Sequence, residues 1–198
     1  MTAAEALHLL RRGNEAFLAG SSEPLPTDRA ARLRLAEGQH PFAAYVTCSD
    51  SRVPPELLFG RGLGDLFIVR NAGNTLDVTA LGSLEFAVGV LKVPLIVVMG
   101  HEGCGAVEAA VEVVRDDRRI GGNMGRMIQP IVAAVLESRN SGNGYGDAVH
   151  QNVRRVVHEL REEASPVLID PQASGALQVV GAYYSLKTGA VDFFDLPD

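Results

Sequence analysis

The chain has 198 residues, of which 46% are hydrophobic and 21% are charged. This length and composition predict one soluble globular domain with a sizeable core. The net charge is −6, with no basic stripe, which excludes a nucleic-acid-binding protein of the usual basic kind.

No membrane segment is expected either. The longest apolar run, PLIVVMG at 94–100, has the length of a strand, whereas a membrane span needs ~18 residues. The N-terminal twenty residues lack a basic region followed by an uninterrupted apolar segment, so they do not resemble a secretory signal. The sequence therefore predicts no membrane partner and a cytoplasmic location.

The N-terminal region is predicted to be helical. Apolar residues recur at helical spacing over 3–19, and Gly20 ends that pattern. A second, shorter helix is expected at 27–37. The apolar face of the first helix is long for an isolated arm, which predicts that it packs on a partner subunit.

The rest of the chain alternates between strands and helices. In order, the predicted elements are a strand at 42–47, a helix at 53–59, a strand at 65–70, a helix at 76–92, a strand at 94–100, helices at 105–117, about 123–139 and 146–163, and two strands around the turn at 187–189. Such alternation implies right-handed crossovers between parallel strands. The predicted fold is therefore an α/β domain with a central, mainly parallel β-sheet flanked by helices and preceded by an N-terminal helical arm.

Three side chains suited to metal binding fall where two of these strands end. Cys48 directly follows the first strand. His101 directly follows the third strand, and Cys104 comes three residues later, as a helix begins. Because parallel strands end at the same edge of a sheet, these side chains can converge despite the 52 residues between Cys48 and His101. Two thiolates and an imidazole suit Zn²⁺, and three protein ligands leave the open fourth position of a catalytic site.

The helix that begins after Cys104 adds an electrostatic expectation. The N-terminus of a helix stabilises negative charge, so we expect it to lower the pKa of the Cys104 thiol. The alternative for each of the two cysteines, taken alone, is a small buried hydrophobic residue with no chemical role.

Asp50 and Arg52 place charged groups next to this predicted site. A carboxylate two residues from a metal ligand can accept a hydrogen bond from hydroxide on zinc, and an arginine can keep that carboxylate ionised and oriented. The alternative is that Asp50 caps the helix at 53–59, with Arg52 as its salt-bridge partner. The group Cys48, Asp50 and Arg52 follows one apolar strand, and the pair His101 and Cys104 follows another. The presence of both groups together favours a metal site.

The spacing of these residues matches the motifs of a known family. The chain carries Cys-x-Asp-x-Arg as CSDSR at 48–52 and His-x-x-Cys as HEGC at 101–104. The flanking stretches are similar as well, namely PPELLFGRGLGDLFIVRNAGN at 54–74 and LGSLEFAVGVLKVPLIVVMGHEGCGAV at 81–107. The sequence resembles the β-class carbonic anhydrases, and among them the plant-like group.

This resemblance implies a zinc enzyme that reversibly hydrates carbon dioxide to bicarbonate and a proton by means of zinc-bound hydroxide. One Zn²⁺ per chain would be bound by Cys48, His101 and Cys104, and Asp50 and Arg52 would form the catalytic dyad. In some members of the family the aspartate swings onto the zinc, so Asp50 would be a metal ligand in a closed state only.

The resemblance also implies a substrate pocket and an oligomer. In that pocket Gln39 would supply a polar amide and Gly105 a backbone N–H donor. The apolar wall would be formed by Phe67, Ala72 and Phe86. Because part of this pocket comes from the neighbouring subunit in the family, a homo-oligomer is expected, at least a dimer. One zinc-dependent domain would cover 1–198, with a helical arm at 1–38 and an α/β core at 39–198.

Two positions depart from the family pattern, and two other functions stay open. Phe86 stands where some plant-like members have tyrosine, and Gly60 and Arg61 stand where bacterial relatives often have an Asp-Gln pair. The same scaffold resembles hydrolases of carbon disulfide or carbonyl sulfide, which are linear like carbon dioxide. A non-enzymatic protein is the third possibility, with Cys48 and Cys104 as structural zinc ligands or redox-responsive thiols.

Overall fold

The computed structural model describes residues 1–23, 25, 27–140 and 145–197. Its helices are α1 (Ala3–Leu18), α2 (Arg29–Leu35), α3 (Pro55–Leu58), α4 (Val78–Gly89), α5 (Gly105–Asp116), α6 (Gly122–Asn140), α7 (Ala148–His158) and α8 (Pro166–Ala173). A π-helical turn, Glu159–Glu163, continues α7. The strands are β1 (Ala43–Cys48), β2 (Leu66–Asn71), β3 (Leu95–His101), β4 (Gln178–Tyr184) and β5 (Val191–Asp195).

The five strands form one sheet in the order β2-β1-β3-β4-β5. Strands β1 to β4 run parallel to one another, and β5 is antiparallel to β4 at the edge. The predicted α/β fold with a mainly parallel sheet is therefore confirmed. Strands β1 and β3 lie in the middle and are buried along their whole length, which explains their continuous apolar runs.

Helices cover both faces of the sheet and divide the core in two. Alternate side chains along a strand point to opposite faces, so Tyr45 and Val97 join one cluster while Val46 and Val98 join the other. The first cluster is covered by α1, α5 and α6, and the second by α4, α7 and α8. Across the described ranges, no helix combines the length and the apolar character that crossing a membrane requires.

The N-terminal helix packs on its own chain. Ala6 and Leu10 are fully buried in the first core cluster. The buried side chain of Asn14 donates from Nδ2 to the carbonyl of Gly189 at 3.0 Å and accepts from the N–H of Val191 at 2.9 Å. The same chain therefore buries the middle of this apolar face, whereas Leu18 near its end is 48% exposed. Packing of α1 on a partner subunit remains a prediction.

The predicted element boundaries shift by a few residues. Cys48 and His101 are the last residues of β1 and β3, rather than the first residues after them. Helix α4 begins later than predicted because Asp77 is its N-cap and accepts the N–H of Ala80 at 2.7 Å. Helix α8 was not predicted, although Pro166 at its first turn is a recognised start signal.

Candidate metal centre

Cys48, His101 and Cys104 converge at the carboxyl edge of the sheet. Strands β1 and β3 are parallel neighbours, so their last residues lie side by side. Cys104 is the N-cap of α5, three residues beyond the end of β3. The ligand atoms of the three side chains all lie within 4.8 Å of one another, and all three side chains are buried. The structure thus brings together the three residues that the sequence nominated as metal ligands.

The spacing and the chemistry of these side chains fit a zinc ion. The two sulfur atoms are 3.9 Å apart, and both cysteines are free. Tetrahedral coordination with Zn–S bonds of about 2.3 Å would place two sulfurs roughly 3.8 Å apart. His101 Nε2 is buried and has no hydrogen-bond partner within the described part of the chain. A buried nitrogen beside two thiols is the group that a metal ion would satisfy.

The second ring nitrogen fixes the orientation of the imidazole. His101 Nδ1 lies 2.8 Å from the carbonyl oxygen of Glu102, which can only accept a hydrogen bond. Nδ1 therefore carries the proton when the ring is neutral, and Nε2 presents its lone pair to the sulfurs. Burial lowers the pKa of His101, but the neighbouring Cys48, the Glu102 carbonyl and the charge of Asp50 together raise that pKa above its ordinary value.

The adjacent thiols of Cys48 and Cys104 shift each other's pKa values in opposite directions. The Cys104 thiol is the largest cause that lowers the pKa of Cys48, and the backbone N–H groups of Asp50 and Gly73 assist, each 3.4 Å from the Cys48 sulfur. The same contact and burial raise the pKa of Cys104. The N–H groups in the first turn of α5 lower the pKa of Cys104, as expected from the sequence, but the contact with Cys48 and burial outweigh them, so the net shift is upward.

A bidentate ion pair lies beside the three ligands. Arg52 donates from Nε to Asp50 Oδ1 at 2.9 Å and from Nη2 to Oδ2 at 2.6 Å. These hydrogen bonds hold the pKa of the Asp50 carboxyl well below its usual range, despite partial burial. Oδ2 is 3.9 Å from His101 Nε2, so an ionised oxygen faces the ligand cluster. The alternative that Asp50 caps the following helix is excluded, because Pro54 is the N-cap of α3.

Two residues that the sequence did not nominate hold the backbone around Cys48. Arg70, near the end of β2, donates from Nε to the carbonyl of Cys48 at 2.9 Å. Asn152 is buried in α7 and donates to the carbonyl of Gly73 at 2.9 Å, which fixes the loop that contacts the Cys48 sulfur. Arg70 could have been found from its place at the end of a strand beside β1. Asn152 gives no comparable signal, because it is one of several polar residues of α7 and the sequence does not show which of them is buried.

The predicted pocket residues do not all meet the ligands within one chain. Ala72 and Gly105 adjoin the site, because they are the chain neighbours of Gly73 and Cys104. Phe67 and Phe86 have ring centroids 6.3 Å apart.

Phe67 packs against the core cluster on the face of the sheet opposite to the cluster that contains Cys48. Phe86 is 47% exposed, and Gln39 is exposed just before β1. Arg61 donates from Nη2 to the carbonyl of Leu9 at 2.7 Å. It therefore anchors α1 rather than lining the mouth of the site.

Comparisons with known proteins point to one family. The family model described as carbonic anhydrase matches residues 43–191. Carbonic anhydrase 2 of Mycobacterium tuberculosis is 41% identical over 183 residues, which cover 91% of this chain and 87% of that relative. The carbonic anhydrase of Mycolicibacterium smegmatis is 38% identical over 186 residues, which cover 92% of this chain and 89% of that relative.

Solved structures give the same answer for the fold. A tetrameric β-carbonic anhydrase from the ascomycete Sordaria macrospora matches with a TM-score of 0.76 at 25% identity, covering 96% of this chain and 97% of that one. The β-carbonic anhydrase of Coccomyxa, solved in complex with acetazolamide, matches with a TM-score of 0.73 at 29% identity. That match covers 84% of this chain and 78% of the Coccomyxa chain.

Proposed function

This chain belongs to the β-class carbonic anhydrases, and we propose that it catalyses the reversible hydration of carbon dioxide to bicarbonate and a proton. The observation that carries the proposal is the buried Nε2 of His101, which has no hydrogen-bond partner among the described residues. It lies within 4.8 Å of two thiols and beside an ionised carboxylate. One Zn²⁺ would be held by Cys48, His101 and Cys104. When bound, it would lower the pKa of a coordinated water to about 7, so that hydroxide is available near neutral pH.

Asp50 would orient the reacting oxygen rather than remove its proton. The lowered pKa of its carboxyl makes Asp50 a weak base, and an ionised carboxylate can only accept hydrogen bonds. Oδ2, which faces His101 Nε2, would accept the hydrogen of the attacking hydroxyl and direct its lone pair at the carbon of carbon dioxide. Arg52 holds Asp50 in this orientation and also donates to the carbonyl of Gly103 at 3.2 Å, in the loop between the two C-terminal ligands.

A second subunit would complete the substrate pocket. We assign this pocket to Gln39, Phe67, Ala72, Phe86 and Gly105, of which Gln39 and Phe86 are exposed in the single chain. Exposed side chains of a pocket are expected when a partner copy covers them, and the Sordaria relatives are tetrameric. We therefore propose a homo-oligomer, at least a dimer, that acts in the cytoplasm.

The remaining assignments extend the same proposal. The chain would form one catalytic domain over 1–198, with an arm at 1–38 that folds back on the core at 39–198. Asp50 could also reach a bound zinc in a closed state, which would require its pair with Arg52 to open. Hydrolysis of carbon disulfide or carbonyl sulfide is the competing activity, but the relatives are carbonic anhydrases by name.

Stopped-flow hydration of carbon dioxide from pH 6.5 to 9, with zinc content measured on the same samples, tests the proposal. We expect about one zinc per chain and hydration activity in the wild-type protein, and neither in Cys48→Ala. Ser49→Ala is the matched control, since that neighbouring side chain is exposed. Full zinc occupancy without hydration at any pH would refute the proposed substrate and would direct the assay to carbon disulfide and carbonyl sulfide.

A further inference from the structure

The carboxylate of Glu102 fastens the residue after His101 to a distant turn. Its Oε2 accepts hydrogen bonds from the hydroxyl of Ser185 at 3.0 Å and from the backbone N–H of Lys187 at 3.1 Å. Its Oε1 lies 2.8 Å from Lys187 Nζ. These contacts bridge more than eighty positions of sequence and join the end of β3 to the turn between β4 and β5.

The β4–β5 turn that is hydrogen-bonded to Glu102 is also held by helix α1. Asn14 of α1 is buried and holds the carbonyl of Gly189 and the N–H of Val191. The backbone N–H of Glu102 also donates to the carbonyl of Tyr184 at 2.9 Å, which continues the pairing of β3 with β4. Glu102 is therefore tied to a segment that α1 and the sheet both hold in place.

The same residue supplies the hydrogen bond that orients the imidazole. The carbonyl oxygen of Glu102 is the partner of His101 Nδ1 at 2.8 Å. A hydrogen bond to the distal nitrogen of a ligating histidine sets its tautomer and its ring orientation. Any movement of the Glu102 backbone therefore changes where His101 Nε2 points.

We propose that Glu102 is a positioning residue for His101. The side chain of Glu102 is hydrogen-bonded to the β4–β5 turn, and this fixes the Glu102 backbone carbonyl that orients the imidazole toward the proposed metal. This inference rests on the proposed zinc site. Of its contacts, the two hydrogen bonds to Oε2 carry the effect. The ion pair contributes little, because the Lys187 side chain is 85% exposed and its charge is screened by solvent.

The chain offers variants that separate these contacts. Glu102→Gln can keep an amide oxygen in the place of Oε2 and so retains both hydrogen bonds, while it loses the ion pair. Lys187→Ala loses only the ion pair, since its backbone N–H stays. Glu102→Ala loses all three contacts. Ser185→Ala removes one of the two hydrogen bonds and serves as a milder variant should Glu102→Ala fail to fold.

The test measures zinc release to a chromophoric chelator and the visible spectrum of the cobalt-substituted proteins. We expect Glu102→Ala to release zinc roughly 10- to 100-fold faster than the wild type, with an altered cobalt spectrum, since partners of metal ligands have effects of this size. Ser185→Ala should lie in between. Glu102→Gln and Lys187→Ala should release zinc within about threefold of the wild-type rate, which is well below the roughly 10- to 100-fold change expected for Glu102→Ala.

The outcomes distinguish this inference from the function on which it rests. A wild-type protein that binds no zinc would overturn both. A wild-type protein that holds zinc, with Glu102→Ala matching its release rate and cobalt spectrum, would overturn only the role of Glu102. Release from Glu102→Gln as fast as from Glu102→Ala would also overturn it, because the hydrogen bonds would then not be the cause.

Discussion

The guanidinium of Arg70 donates from Nη2 to the backbone carbonyl of Asp50 at 2.6 Å. A second bond runs from Nε to the carbonyl of Cys48 at 2.9 Å. Arg70 therefore sets the positions of a proposed metal ligand and of the neighbouring carboxylate through hydrogen bonds to their backbone carbonyls. The end of β2, which is adjacent to β1 in the sheet, thus acts as a support for the turn at 48–52.

Replacing Arg70 should impair the reaction more than folding. Arg70→Met keeps much of the side-chain volume but loses both hydrogen bonds, and we expect kcat/KM to fall by about 10-fold, since groups that support metal ligands affect activity by about this much. The measurement is stopped-flow hydration alongside thermal unfolding. Arg12→Met is the control, because its ion pair with Glu15 is largely exposed. Equal activities of the two variants would contradict a supporting role for Arg70.

Asp50→Asn tests the orientation of the reacting oxygen. Asparagine has the same shape, but its amide cannot provide the ionised acceptor that faces His101 Nε2. We expect kcat/KM to fall by about 10²-fold or more, with zinc content and fold retained, because a preorganised charge at the reacting atoms has effects of that order. Asp116→Asn, an exposed acid on α5, is the matched control. Zinc loss in Asp50→Asn would point instead to a structural role for the carboxylate.

The close approach of α1 to α3 predicts a stability change that does not involve the metal. A Cβ on Gly13 would lie 2.0 Å from the carbonyl oxygen of Phe59, so Gly13→Ala should destabilise the protein by about 1–3 kcal/mol through overpacking. Gly82→Ala lies in the interior of α4, where a Cβ meets no atom of the described residues within 4 Å, and should instead stabilise the protein by about 1 kcal/mol. Urea unfolding at one protein concentration measures both. A Gly13→Ala protein as stable as the wild type would contradict the packing of α1 on its own chain.

His150 should make stability depend on pH. Its ring stacks on that of Tyr183, with the ring centroids 4.3 Å apart. Burial is the largest cause that lowers the pKa of His150, and the charge of Arg154 lowers it further. The charges of Asp147 and Asp192 raise it, but the net shift is downward. Because the folded state binds this proton less readily than the unfolded state, the contribution is present above the ordinary pKa of histidine, 6.5, and is lost as pH falls below it.

Urea unfolding of the zinc-loaded protein between pH 8 and 5.5 measures this slope. His150→Phe keeps an aromatic ring but cannot titrate, so its stability should fall less steeply toward low pH. Tyr183→Phe keeps both the stacking and the histidine, and it should retain the wild-type slope. If His150→Phe and the wild type show the same slope, the burial of this imidazole does not govern the acid sensitivity.

Zinc binding should release protons. In the metal-free site the two adjacent thiols shift each other's pKa values in opposite directions, so Cys104, whose pKa is raised, holds a proton that a metal must displace. We expect at least one proton per zinc at pH 7, and an apparent affinity that increases with pH. A pH dye in weak buffer measures the release, with a second zinc addition to the saturated protein as blank. Binding without proton release would show that Cys104 is ionised before the metal arrives.

The ligand triad could be predicted because strand ends are readable from sequence. The apolar runs before Cys48 and His101 mark two parallel strands, and parallel strands place such residues at one edge. The supporting contacts could not be predicted in the same way. Asn152 meets Gly73 across 79 positions, and Glu102 meets Ser185 across 83, so each depends on how separate elements pack.

The packing of α1 on its own chain could not be predicted, for a related physical reason. An amphipathic pattern shows that a helix buries one face, but it does not say which surface covers that face. Here a glycine at position 13 permits the close approach to Phe59, and Asn14 finds backbone partners in the β4–β5 turn. Neither Gly13 nor Asn14 is distinctive in the sequence, so only the folded chain shows which surface α1 packs on.

Cys48 and His101 are the last residues of adjacent strands, and this restricts where the protein can tolerate insertions and deletions. One residue deleted within β1 or β3 would turn the alternating side chains of that strand to the opposite face and carry the ligand away from its partners. The segment between α5 and α6, at 117–121, contains none of the proposed ligands and can lengthen or shorten without that consequence. Natural variation in length should therefore collect in such connections and leave these two strands constant.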